Sequence, residues 1–166
     1  MIRLLLLAAA LALLAACGLR PMYAGGTSGI VATSLRSIQV RDIPGKGGWM
    51  VRNALVAKLG GETGGEAMYR LEVELDDNIT GFGIRGDRAT TRERRTLRAR
   101  YRLIELTTGA VVLDATAGSD AGIDVVSSQY ATIAAEQTAL ERLSEVVADQ
   151  MVGRLALFVA RTSATP

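Results

Sequence analysis

Apolar positions change period along the chain, and the changes lay out a fold. Leu35, Ile38, Val40 and Ile43 predict a first strand of imperfect alternation between Ser34 and Ile43, broken by Pro44-Gly45-Lys46-Gly47-Gly48. From Trp49 to Leu59, Val51, Ala54, Leu55 and Leu59 form one stripe of a short helix, which Gly60-Gly61 ends as a glycine C-cap. Tyr69, Leu71, Val73 and Leu75 then alternate with Arg70, Glu72, Glu74 and Asp76, as in a half-buried strand with one polar face. Leu97, Ala99, Tyr101 and Leu103 repeat that period against Arg98, Arg100 and Arg102, and Thr108-Gly109 turns the chain into a third strand at Val111, Val112 and Leu113. After a loose stretch of Gly, Asp and Ser, Ser127 or Ser128 caps a long helix reaching to Arg161. Its apolar stripe is Ile133, Leu140, Leu143, Val147, Met151, Leu155 and Phe158. Glu141, Glu145 and Asp149 are expected as an acidic ridge on its outer side, and Gly153 as a point of close approach to the sheet. The order strand, helix, three strands, helix predicts an α+β two-layer sandwich, with an about four-stranded sheet and two helices packed on one face.

Composition narrows the chemistry. Among 166 residues there is no histidine and one cysteine, which excludes Ser-His-Asp and Cys-His catalysis, histidine-ligated metals and an internal disulfide. Aromatic residues make up 4%, poor material for stacking nucleic-acid bases. Ser119, Asp120 and Asp124 fit no hydrolase motif, and Asp120, Gly122 and Asp124 lack the spacing of an EF-hand, so that segment is expected to be a flexible polar loop. No enzyme, cofactor, metal site or nucleic-acid partner is expected.

The first residues carry a different signal. Arg3 precedes an apolar run from Leu4 to Ala16, too short for the ~20 residues of a membrane-spanning helix and laid out like a secretory signal. Leu14-Ala15-Ala16-Cys17 resembles a bacterial lipobox, which implies cleavage before Cys17 and acylation of that cysteine. Two or three acyl chains at ~0.8 kcal/mol per buried CH₂ anchor a protein stably where one does not. Gly18 after the cysteine, rather than Asp, goes with export to the outer membrane. The expected organisation is a signal at 1–16, an acylated N-terminus and tether at 17–30, a single α+β domain at 31–161 and a tail at 162–166.

Charge is concentrated in one place. From Arg85 to Arg102 there are eight arginines against Asp87 and Glu93, while the rest of the chain after Ala16 holds ten basic and fifteen acidic side chains. All eight are Arg, the residue whose planar fork suits phosphate and carboxylate. If a hairpin turns near Arg85-Gly86-Asp87, residues whose numbers sum to about 172 face each other, pairing Glu72 with Arg100 and Glu74 with Arg98 as ordinary surface decoration. That register leaves Arg85, Arg88, Arg92, Arg94 and Arg95 opposite Asn78 and Thr80 rather than acids. These five form the candidate anion-binding site, with phospholipid headgroups, acidic peptides and lipopolysaccharide as the anions at hand in an envelope compartment.

Cys17-Gly18-Leu19-Arg20-Pro21-Met22-Tyr23 resembles the opening of mature LptE-family proteins, the lipopolysaccharide-assembly lipoproteins, in their alphaproteobacterial form. Length and element order agree. The resemblance implies a non-enzymatic, lipid-anchored protein on the periplasmic side of the outer membrane. Such a protein sits in the lumen of an LptD-like β-barrel, helps to assemble it and binds lipopolysaccharide in transit. It also implies a two-helix, four-strand sandwich. A reading from a different class is a barrel-independent periplasmic lipoprotein that binds anionic envelope lipid or polymer.

Overall fold

The computed structural model describes residues 29–60, 66–84 and 90–162. In chain order they form α1 (Ile30–Arg36), β1 (Ile38–Val40), α2 (Gly45–Leu59), β2 (Tyr69–Ile84), β3 (Thr90–Glu105), β4 (Val111–Asp124) and α3 (Gln129–Thr162). The sheet order is β1-β2-β3-β4, with β1 parallel to β2 and the other neighbours antiparallel. This is the expected α+β sandwich with a four-stranded mixed sheet, but with three helices rather than two among the described residues.

The additional helix takes part of the expected first strand. Ser34, Leu35 and Arg36 end α1, where Leu35 is buried, and the Ser37 backbone N–H and hydroxyl both donate to the Ser34 carbonyl. Only Ile38 to Val40 remain as strand, with Ile38 and Val40 facing inward. Helix α2 begins at Gly45, earlier than expected, and buries Gly48 with Val51, Ala54, Leu55 and Leu59. Packing overrides propensity here: a Cβ at Gly48 would collide with the Ile43 carbonyl, so only glycine lets this turn lie against the incoming chain. The far end closes as expected on Gly60, whose φ of 104° suits a left-handed cap and whose N–H bonds the Val56 carbonyl.

One parity runs through the three long strands up to the register shift between Leu103 and Ile104, beyond which Ile104 is buried as well. Odd residues face the helices: Leu71 and Val73 on β2, Leu97, Ala99, Tyr101 and Leu103 on β3, and Ala115, Ala117 and Ile123 on β4 are buried. Burial pushes the Tyr101 hydroxyl pKa up, so the phenol stays neutral. The expected loose stretch after Leu113 is in fact β4 continuing to Asp124. Its inward positions are small (Ala115, Ala117, Ser119, Ala121), so the strand lacks a strong apolar signature while leaving room for a helix to pack on it.

Helix α3 runs from the hairpin end of the sheet to its base. The Glu136 carbonyl meets Arg95, and Phe158 packs edge-on against Tyr69 with ring centroids 6.4 Å apart. The 34 residues of α3 rise about 50 Å, close to the reach of the 16-residue strands beneath it. Its buried face is broader than the expected stripe, adding Thr132, Ala139, Ser144, Ala148, Val152, Ala156 and Val159, while Ile133 is exposed. The acidic ridge does not point outward as a unit: Lys58 of α2 bridges Glu145 (3.1 Å) and Asp149 (2.8 Å) across the seam between the helices. Those two carboxylates raise the Lys58 pKa, Asp149 the more strongly. Gly153 makes no close approach, since a Cβ there would meet nothing within 4 Å.

Gly48 and Gly153 therefore predict opposite outcomes. Gly48→Ala should lower stability by about 1–3 kcal/mol through overpacking. Gly153→Ala should raise it by up to about 1 kcal/mol through helix propensity. Urea denaturation of both variants checks the pair, and equal shifts would contradict it.

Candidate functional site

Among the described residues, helices cover the odd face of the long strands, and the even face from Glu72 to Phe82 and from Arg92 to Arg102 is largely polar and uncovered. Along β3 it carries Arg92, Arg94, Thr96, Arg98, Arg100 and Arg102, a column of arginines in the centre of the sheet. On one side stand Glu72, Glu74 and Asp76 of β2, and on the other Asp114, Asp120 and Asp124 of β4.

The hairpin register differs by two residues from the expected one. Partners sum to 174, so Glu72 lies opposite Arg102, Glu74 opposite Arg100 and Asp76 opposite Arg98. A shift of two preserves which face each residue takes but changes its partner. Arg102 contacts Glu72 at 3.3 Å and Glu74 at 3.7 Å, while Arg100 turns to β4 and pairs with Asp114 at 2.9 Å. The hydrogen bond from Arg100 holds the Asp114 carboxyl below its ordinary pKa.

Of the five expected anion-binding residues, Arg85 and Arg88 lie outside the described residues, as does Cys17. The other three have acidic partners, contrary to the expectation from the sequence. Arg92 donates from Nε to Asp124 Oδ1 at 2.9 Å, and both side chains are exposed. Arg94 lies 3.8 Å from Asp120, with its guanidinium 5.4 Å from the centroid of the Phe82 ring, a cation–π contact. Both partners come from the stretch expected to be a flexible loop. Strand β4 places them at the register positions Arg92↔Asp124 and Arg94↔Gly122, with Asp120 two residues further along the same face.

Arg95 faces the other way. Its odd position turns it under the helices, where Nε and Nη2 grip Asp77 at 2.8 and 2.6 Å and Nη1 reaches the Glu136 carbonyl at 2.9 Å. The Arg95 side chain is 13% exposed and that of Asp77 27%, against 64% for Arg92. Asp77 raises the Arg95 pKa, although burial opposes this. The side chain ties β2, β3 and α3 together, and Lys46 reinforces this end of the molecule by bonding Gln137 across α2 and α3. Glu93 also takes the covered face, its Oε2 buried with no hydrogen-bond partner among the described residues, so it does not offset the exposed arginines.

At this end of the sheet the described residues thus bring Arg92, Arg94, Phe82, Asp120 and Asp124 together. Two arginines in shallow, exposed pairs beside an aromatic ring can accept a phosphate or carboxylate by exchanging partners. No described cluster of three or more Asp, Glu, His or Cys side chains could hold a metal ion.

Comparison with known proteins agrees with this architecture. The family model LptE, lipopolysaccharide-assembly, matches residues 35–155. A solved protein from Caulobacter crescentus CB15, assigned as a lipoprotein, is 27% identical, with 78% of this chain and 96% of that chain covered and a TM-score of 0.64. Rare lipoprotein B from Shewanella oneidensis is 9% identical, covering 76% and 93%, with a TM-score of 0.53. A lipoprotein B from Nitrosomonas europaea is 13% identical, covering 78% and 89%, with a TM-score of 0.54. These last two share the fold. No curated protein sequence matches the chain significantly.

The two kinds of arginine predict different stabilities. Arg95→Ala should cost about 1.5–3 kcal/mol, because it strips charged hydrogen bonds from a largely buried site. Arg92→Ala should cost about 1 kcal/mol or less, as an exposed pair does. Thermal denaturation read by circular dichroism compares them.

Proposed function

The chain belongs to the LptE family of lipopolysaccharide-assembly proteins, and from that premise we propose that it is an outer-membrane lipoprotein, anchored through Cys17, that plugs and helps assemble an LptD-like β-barrel and binds lipopolysaccharide in transit. It acts by binding and by shape, without catalysis. The observation that carries the lipopolysaccharide contact is the exposed pair Arg92 and Arg94 beside Phe82, where phosphates meet guanidinium groups while apolar chains lie on the ring. Arg85 and Arg88 belong to the same hairpin in sequence and are proposed to extend that contact. Arg95 is proposed to hold the hairpin in place rather than to touch the ligand, since Asp77 and the Glu136 carbonyl occupy its donors.

The even face of the sheet supports the barrel reading. A column of arginines flanked by carboxylates is nearly neutral overall, yet rich in donors and acceptors for the polar wall of a lumen. The proposed position has the domain on the periplasmic side of the membrane, within that lumen.

Three outcomes test this reading. Arg92→Glu combined with Arg94→Glu should weaken binding of purified lipopolysaccharide at least tenfold, about 1.4 kcal/mol, with an unchanged circular dichroism spectrum; unchanged affinity would remove the arginines from the contact. Affinity purification from detergent-solubilised outer membrane should recover a large β-barrel in an equimolar complex. Recovery of the protein alone would favour the barrel-independent lipoprotein. Cys17→Ala should abolish metabolic labelling with palmitate, and a labelled variant would refute the anchor.

A further inference from the structure

The two exposed arginines do not stand open to a ligand. Each already faces a carboxylate of its own chain, carried on β4 and exposed on the same side of the sheet. Asp124 takes the Nε side of the Arg92 guanidinium at 2.9 Å, the side a phosphate would use for a two-pronged grip. Asp120 stands off from Arg94 at 3.8 Å, beyond a direct hydrogen bond, and Phe82 holds that guanidinium from the other strand. A protein selected only for tight anion capture would keep carboxylates away from its binding arginines. Here they lie on the neighbouring strand, fixed in register by a long ladder.

We propose that Asp120 and Asp124 are tethered competitors, which fill the place of the ligand phosphate when the site is empty and push it out when it leaves. The proposal rests on the lipopolysaccharide reading of Arg92 and Arg94. Its physical content is an exchange of ion pairs. The incoming phosphate replaces a carboxylate on each guanidinium, and the carboxylate turns to water while staying a side chain's length away. Each arginine is therefore paired in both states, so binding gains only the difference between two exposed ion pairs. The carboxylate cannot diffuse off, so it returns at high effective concentration and shortens the ligand's stay. Such a site suits a protein that passes its ligand on. The geometry also ranks the two acids: Asp124, in direct contact, competes harder than Asp120.

The test uses the full-length acylated protein in detergent micelles, with lipid A bearing both phosphates and dephosphorylated lipid A as probes. Asp120→Asn combined with Asp124→Asn should tighten binding of the phosphorylated probe about twofold to thirtyfold, the range spanned by releasing two exposed pairs. Asp124→Asn should give the larger share, and the dephosphorylated probe should be unaffected. Asp114→Asn is the control for net charge. Six residues further along β4 it lies about 20 Å from Asp120, more than twice the Debye length of about 8 Å at physiological salt, and should leave affinity unchanged. Unchanged affinity in the double variant, or an equal gain from Asp114→Asn, would overturn the proposal. No binding of phosphorylated lipid A by the wild type or any variant would overturn the lipopolysaccharide reading itself, and the proposal with it.

Discussion

Everything in this domain depends on the shared parity of its three long strands. Odd residues carry the apolar side chains that α2 and α3 cover; even residues carry the charges left bare. A slip of one residue between β2 and β3 would drive arginines into the core and leucines into water. The penalty for burying unpaired guanidinium groups therefore fixes the register as strongly as the gain from burying leucine. The continuous β2–β3 ladder from Tyr69 to Phe82 follows from that constraint, and α3 can lie along the sheet because β4 presents small residues inward.

Parity also divides the arginines into two kinds. Even-numbered Arg92 and Arg94 reach an exposed face where ion pairs are weak and exchangeable. Odd-numbered Arg95 is drawn beneath α3, where the same side chain becomes a structural tie of three hydrogen bonds. Neighbours in sequence thus have opposite physical roles, one pair available to a ligand and one residue committed to the fold. Anchoring the hairpin from inside frees its outer face for contact, and this is how the architecture serves the proposed function.

Much of this was legible from the pattern of residues. Period-two alternation located β2 and the apolar half of β3, and the stripe from Val51 to Leu59 located the buried face of α2. The structural role of Arg95 was missed, since it was grouped with the anion-binding arginines; the signal that would have separated it is parity, which it shares with Leu97, Tyr101 and the inward Asp77 of β2. What the pattern hid has a physical cause. The far half of β4 is, apart from Ile123, built from Ala, Gly, Ser and Asp, whose intrinsic preferences favour a loop, and cross-strand pairing makes it a strand. The acids that pair with Arg92 and Arg94 went unrecognised with it. The two-residue register difference, invisible to parity, moved Arg100 from β2 to a partner on β4. Helix α1 was masked by a stretch of seven residues in which β-branched side chains favour strand.

The central claim is that the arginine-bearing end of the bare sheet face meets lipopolysaccharide. The most direct measurement is photo-crosslinking in cells from Thr80, which lies opposite Arg94 on that face, compared with Thr116, opposite Arg100 further along it. The account predicts a lipopolysaccharide adduct from position 80 and none from position 116. An adduct at neither position, or equal adducts at both, would contradict it.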